Sequence, residues 1–151
     1  MSTVVTNTKI KLTPVWYNDP PYVILSFDEE IIYAGHLYQT HNFSIEQDLL
    51  PGQHTIAVEF TNKKNNDTQD NLDKAVVIEQ ITFNNITDQK FVWVGQYRPC
   101  YPEPWASQQT NLLPVLDHQN YLGWNGKWTL TFDVPVFTWI HKTLDLGWIY
   151  D

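Results

Sequence analysis

The chain has 151 residues and a formal net charge of −8, with only 9 lysines and arginines and a pI near 4.9. That length lets one domain bury about two-thirds of the surface its unfolded chain exposes, so its core needs no staple. So acidic a chain has no basic stripe for a phosphate backbone or an anionic bilayer, and its longest apolar stretches, such as Ala75 to Ile78 and Val134 to Phe137, fall far short of a bilayer span, which excludes nucleic acid and membrane as partners.

Cys100 stands alone, which excludes an internal disulfide. The start Met-Ser-Thr-Val-Val-Thr-Asn lacks the basic end and apolar core of a secretion signal, so synthesis and folding in a reducing cytoplasm are expected. Without such a signal, the N-x-S/T tripeptides at Asn42, Asn66 and Asn85 are read as turn and strand chemistry. Aromatic residues make up 15% of the chain, which favours pleated, half-buried surfaces and a recognition surface.

A period of two runs along almost the whole chain, and no segment keeps an i, i+3, i+4, i+7 apolar pattern over three turns, so helix is expected to be minor. Thr8, Ile10 and Leu12 alternate with Lys9, Lys11 and Thr13 in a first strand expected to stop at Pro14. After the turn Tyr17 to Pro21, Tyr22 to Phe27 reads as a central strand, and Asp28-Glu29-Glu30 as a tight turn into Ile31 to Tyr33. His41 to Leu49 is another strand, ended by Pro51-Gly52. In His54 to Phe60, Ile56, Val58 and Phe60 share one face.

A polar loop spans Thr61 to Lys74. Val76 to Phe83 places Val76 and Ile78 in one phase and Ile81 and Phe83 in the other, which predicts a bulge or burial on both faces. Lys90 to Tyr97 resumes a strand pattern, and Arg98 to Gln119, broken by four prolines, is the longest loop. Asn125-Gly126 between Tyr121 to Trp124 and Lys127 to Val134 predicts a type I′ hairpin, with Trp128, Leu130, Phe132 and Val134 facing the core. Val136 to Ile140 and Gly147 to Tyr150 are expected to pack.

The sequence has no Gly-x-Ser-x-Gly elbow, phosphate-cradling glycine loop or His-Glu-x-x-His, and its five histidines lack metal-ligand spacing. No cation adjoins Cys100 to activate it. Glu103 and Asp117 are the carboxylates a glycosidase would use, though any chain with 17 acidic residues offers such pairs. The loop Asn62 to Asp73 instead gathers hard oxygen donors of the kind calcium takes. Its aspartates do not follow the D-x-D-x-D-G spacing, and Lys63 and Lys64 compete for them.

Pro51-Gly52-Gln53-His54-Thr55 through Asn62, Asp70-Asn71-Leu72 and Ile78 to Asn84 together resemble the calcium-dependent xylan-binding modules of carbohydrate-binding families 36 and 60 over about a third of the chain. The resemblance implies a β-sandwich whose aspartate-rich loop binds calcium and, through it, sugar hydroxyls. Asn62 and Asp70 match the family pattern, whereas Lys63 stands where the family has aspartate and no arginine separates Asp70 from Asn71. Phe60 to Thr68, Tyr101 to Trp105 and the stretch from Tyr121 to Tyr150 also resemble virion-associated β-domains of marine T4-like phages that infect cyanobacteria. That second likeness covers most of the chain and implies a place in a virion.

These readings predict an all-β chain in which residues 1–151 form one β-sandwich domain of jelly-roll or immunoglobulin-like, carbohydrate-binding-module type, without catalytic activity. The expected role is a bacteriophage structural or accessory protein, decorating a capsid or associated with a tail or fibre. Such a protein would be made in the host cytoplasm, would partner other virion proteins as a homo-oligomer or within a larger assembly, and would hold host-surface polysaccharide. The alternative is a free calcium-dependent glycan-binding module or a glycosidase. Tyr97, Tyr101, Trp105 and Trp124 are the expected ligand-binding residues, with calcium, the one cofactor considered, at Asn62, Asp67 and Asp70.

Overall fold

The computed structural model describes residues 2–64, 67–69 and 71–144. Two antiparallel sheets face each other. The first runs in the order β10 (Tyr121–Leu122), β6 (Ala75–Phe83), β1 (Val4–Val15), β4 (His41–Leu49), with β7 (Ile86–Thr87) also on β6. The second runs β3 (Glu30–His36), β2 (Tyr22–Phe27), β5 (Gly52–Phe60), β11 (Gly126–Val134), β8 (Gln96–Pro99), β9 (Leu116–Asp117). The all-β sandwich expected from the two-residue period is the fold observed.

The core lies between the sheets and follows the alternation strand by strand. Ile10, Leu12, Ile45, Ile78, Ile81 and Phe83 of the first sheet meet Val23, Leu25, Ile56, Val58, Phe60, Trp128, Leu130 and Phe132 of the second, all buried. On β6 the phase change has a local cause. Lys11 pairs with Gln80 while Leu12 pairs with Ile78, so Glu79 is the extra residue of a bulge that turns the two halves of the strand to the same core.

Several expected boundaries move. β1 continues through Pro14 to Val15, because its pairing with β4 ends at Leu12 and only β6 accompanies the last residues. Asn125-Gly126 does not make a β10–β11 hairpin, since β10 pairs with β6 in one sheet and β11 with β5 and β8 in the other. The dipeptide instead crosses between the sheets, with Gly126 at φ 156°, where an added Cβ would stand 2.5 Å from the Arg98 carbonyl oxygen. Paired left-handed residues, the signature of a type I′ turn, occur at Asp28 and Glu29 (φ 49° and 70°) and at Asn84 and Asn85 (φ 47° and 69°). Short polar side chains offset that backbone cost by bonding nearby groups. Asn84 Oδ1 accepts from the Asn7 amide at 2.8 Å, and Asp28 Oδ1 from the Thr55 amide at 2.8 Å.

The stretch Lys90 to Tyr97 is not one strand. Asp88 accepts from the Lys90 amide at 2.9 Å and caps helix α1 (Gln89–Val94), where consecutive Phe91 and Val92 are both buried, as a helix against a core permits. Only β8 remains extended. Val136 to Ile140 folds as the start of helix α2 (Val136–Leu144), whose Val136, Trp139 and Ile140 lie at i, i+3 and i+4. Trp139 closes one end of the core in an aromatic cluster with Phe83, Phe91 and Phe132, at ring separations of 5.3, 5.6 and 6.0 Å. Gly147 to Tyr150 lie outside the described residues. Among the described residues no helix is long and apolar enough to cross a membrane.

Gly95, between α1 and β8, lies against the fully buried Trp128 indole, and a Cβ there would sit 2.2 Å from its ring atoms. Gly95→Ala should lower stability by ~1–3 kcal/mol or more, seen as a lower urea midpoint at unchanged m-value.

His54, between the Phe27 and Phe132 rings, bridges Asp28 Oδ2 at 2.6 Å and the Leu50 carbonyl at 2.7 Å. Both partners only accept, so both ring nitrogens must donate. Burial opposes the charge, but the Asp28 and Leu50 bonds outweigh it and raise the His54 pKa. Its contribution is complete below the unfolded value of about 6.5 and is lost as pH rises through the folded value. The thermal midpoint should therefore fall across that window in the wild type, and His54→Gln should flatten the difference; a midpoint that rises there would contradict the assignment.

Candidate functional site

Three chain segments cross between the sheets at one end of the sandwich. Residues 16–21 join β1 to β2, residues 61–74 join β5 to β6, and residues 123–125 join β10 to β11. Two lysine side chains hold these crossings together. Lys74, wholly buried, directs its Nζ to Asp19 Oδ1 at 2.7 Å, Asp67 Oδ2 at 3.1 Å and the Asn62 carbonyl at 3.3 Å. The Lys63 Nζ donates to Asp73 Oδ1 and to the Gly123 carbonyl, each at 2.5 Å, and stands 4.7 Å from the centroid of the Trp124 ring. Asn125 fixes the backbone of the same residue, its Oδ1 accepting from the Lys63 amide at 2.7 Å and its Nδ2 donating to the Lys63 carbonyl at 3.0 Å.

The carboxylates are engaged on both oxygens. Asp67 Oδ1 accepts from Asn18 Nδ2 at 3.4 Å, and its Oδ2 from the Lys64 amide at 2.7 Å as well as from Lys74. Burial pushes the Asp67 carboxyl up, but the Lys64 amide, the Lys74 ammonium and Asn18 together hold it below the usual carboxylate range. Asp73 Oδ1 accepts from Lys63, from Thr68 Oγ1 at 2.5 Å and from the Lys74 amide at 2.8 Å, while its Oδ2 accepts from the Tyr121 hydroxyl at 2.5 Å. These donors outweigh burial and lower the Asp73 pKa. Tyr121 is pushed up, first by burial and then by its bond to that carboxylate. Burial likewise opposes the charge on Lys74, yet Asp19 and Asp67 raise its pKa, so it remains an ammonium.

In this arrangement two of the three residues expected to hold calcium, Asn62 and Asp67, are engaged elsewhere. Asn62 uses both amide atoms on the first crossing, Oδ1 accepting from the Tyr22 amide at 2.7 Å and Nδ2 donating to the Pro20 carbonyl at 3.1 Å. Asp67 faces Lys74, and Asp70 lies outside the described residues. Calcium takes six to eight oxygens, whereas the Asp67 and Asp73 oxygens already receive hydrogens and no group of three or more His, Cys, Asp or Glu side chains among the described residues could hold a metal. The described donors do not fit calcium. The expected competition between lysine and metal for the aspartates falls to Lys63 and Lys74, while Lys64 gives Asp67 only its backbone N–H.

The expected aromatic residues divide. Tyr97 is buried at 2% exposure; its hydroxyl donates to the Trp124 carbonyl and accepts from the Trp124 amide at 3.1 Å. Desolvation pushes its pKa up to about 12. It braces Trp124 from within and presents no binding face, because its place on β8, opposite Trp128 of β11, directs it to the core. Tyr101 is half-buried, donates to the Leu113 carbonyl at 2.7 Å and packs against Trp105 with ring centroids 6.0 Å apart. Trp105, 44% exposed, and Trp124 line one cleft of about 350 Å³ together with Pro102, Glu103, Pro104 and Gln108. Glu103 accepts from the Ser107 hydroxyl, which ties the carboxylate to the short 3₁₀ turn Ala106–Gln108.

A second recess of about 410 Å³ opens between edge strands β3 and β4, lined in part by Tyr33, His36, Tyr38 and His41, and the sequence reading passed over it. Two hydrogen bonds to backbone carbonyls brace its wall. The Tyr33 hydroxyl donates to the His36 carbonyl at 2.8 Å, and Trp16 Nε1 to the Tyr38 carbonyl at 3.1 Å. The Trp105–Trp124 cleft offers two indoles flanked by a carboxylate and an amide, which is the chemistry of a site that stacks on a ring and hydrogen-bonds its substituents.

The fold is a β-sandwich of the carbohydrate-binding-module type. Among solved structures, vCBM60 in complex with galactobiose is similar over 82% of this chain and 96% of its own, with a TM-score of 0.53 at 17% identity. The selenomethionine form of vCBM60, presented with circular permutation as a link between two families of calcium-dependent carbohydrate-binding modules, is similar over 83% and 89%, with a TM-score of 0.53 at 16% identity. No protein-family model and no curated protein matches the chain.

Proposed function

We propose that this chain is a non-catalytic glycan-binding module that takes a saccharide in the cleft between Trp105 and Trp124. The observation that carries the reading is the cleft itself, in which two indoles flanked by Glu103 and Gln108 open beside a rigid sandwich end. The fold likeness to a module seen with galactobiose supports the same ligand class. Sugar rings present apolar C–H faces to indoles and hydroxyls to the carboxylate and amide, so stacking supplies affinity and the polar pair orientation.

Calorimetric titration with galactan- and xylan-derived oligosaccharides tests the proposal. Trp105→Ala and Trp124→Ala should each weaken binding about tenfold or more, as truncating a central aromatic anchor costs at least ~1–2 kcal/mol. Tyr38→Ala, in the recess between β3 and β4, should leave affinity unchanged. Equal affinity for wild type and both tryptophan variants would overturn the cleft assignment.

We further propose that the module serves on a bacteriophage particle as a structural or accessory protein partnering other virion proteins, a reading supported by the sequence resemblance to virion-associated β-domains. Cosedimentation with purified particles is the expected result, and absence from them would remove this placement without touching the cleft.

A further inference from the structure

We infer that Lys63 and Lys74 are built-in cations that do the structural work of a divalent metal in the acidic loop, so that the module folds and binds its glycan without calcium. Two ammonium charges equal that of one calcium ion. Both are placed by other parts of the fold, Lys63 by the paired amide bonds of Asn125 and Lys74 by its position immediately before β6. The hydrogens on Asp67 and Asp73 come from six different residues, Asn18, Lys63, Lys64, Thr68, Lys74 and Tyr121, and point where a metal's positive charge would have to stand. A divalent ion entering there would have to displace an ammonium that is itself fully buried, leaving that charge without its partner.

One of these cations also reaches the wall of the cleft. Lys63 lies against the Trp124 ring, and Trp124 lines the cleft, so Asp73, Lys63 and Trp124 form one chain from the acidic loop to the binding surface. Lys63 is thus a positioning residue that acts through Trp124. This second part rests on the cleft reading above; the first does not.

The test uses the intact chain. The wild-type thermal midpoint should be the same in excess EDTA and in millimolar calcium chloride, and calcium titration should give no binding heat. Lys74→Met should lower the midpoint and leave Asp67 and Asp19 uncompensated, so that calcium chloride, inert toward the wild type, partly restores it. Should Lys74→Met fail to fold, Lys63→Met carries the same calcium comparison from a site at the rim of the network.

Lys63→Met should also shift the indole emission, by a change that vanishes in a Trp124→Phe background, and weaken oligosaccharide binding several-fold, with Lys63→Arg restoring both. A wild-type midpoint that falls in EDTA and recovers with calcium, or an emission unaltered by Lys63→Met, would overturn the assignment. Wild type that binds no oligosaccharide yet shows metal-insensitive midpoints would remove the cleft reading and leave the lysine assignment standing.

Discussion

The buried ammonium of Lys74 is the interaction on which this end of the molecule depends. A two-sheet sandwich needs its chain to change sheets, and here three such changes meet in one place, from β1 to β2, from β5 to β6 and from β10 to β11. Crossings cannot use ladder hydrogen bonds, so their backbone groups and charges need other partners. Lys74 ties the first crossing to the second through Asp19 and Asp67, and Lys63 ties the second to the third through Asp73 and Gly123. Removing either ammonium would leave Asp67 or Asp73 with neutral donors only, which costs more than losing an exposed pair.

Position matters as much as charge. Trp124 belongs to the third crossing, and three different contacts fix it: the Tyr97 hydroxyl on its backbone from inside, the Lys63 ammonium on its ring, and the Asn125 clamp on the neighbouring residue. Trp105 arrives from the other direction on the proline-rich segment, where Tyr101 packs on it and anchors to the Leu113 carbonyl. A cleft assembled from an element fixed by the core and another fixed by its own loop is largely formed before a ligand arrives. Less side-chain freedom then remains to be lost on binding.

The sandwich was legible because its strands alternate cleanly. Ile56, Val58 and Phe60, or Trp128, Leu130 and Phe132, leave little choice of face, and the phase slip in β6 announced its bulge. Elements whose signals were short or shared were not legible. Phe91 and Val92 suit a strand as well as a helix until Asp88 caps them, and Asn125-Gly126 has the composition of a type I′ turn but spends its amide side chain on Lys63. Trp105 stood out because Pro102 and Pro104 keep its segment out of a ladder, nothing local in the sequence marked the partly buried Trp124 as its neighbour across a cleft, and Tyr97 misled because a tyrosine's composition does not tell which way its strand faces. Lys74 gave little warning. It reads as the last polar residue before a strand, and its role depends on Asp19, far away in sequence, as well as on the nearby Asp67.

Lysine in place of a bound ion, as inferred above, would alter how the structure responds to its surroundings. An ion that binds only the folded state stabilises it in proportion to the logarithm of its concentration, so such a loop is firm where the ion is plentiful and loose where it is scarce. An ammonium on its own side chain has no such dependence, because its effective concentration is set by the fold. The cost is that each tethered charge is single, must lose its rotamer freedom, about 1.5–2 kcal/mol for a buried lysine, and cannot offer open coordination positions to a ligand's hydroxyls. In the glycan-binding reading proposed above, oxygen contacts to a sugar would have to come from side chains at the cleft, and Glu103 and Gln108 stand beside the two indoles where that requirement falls.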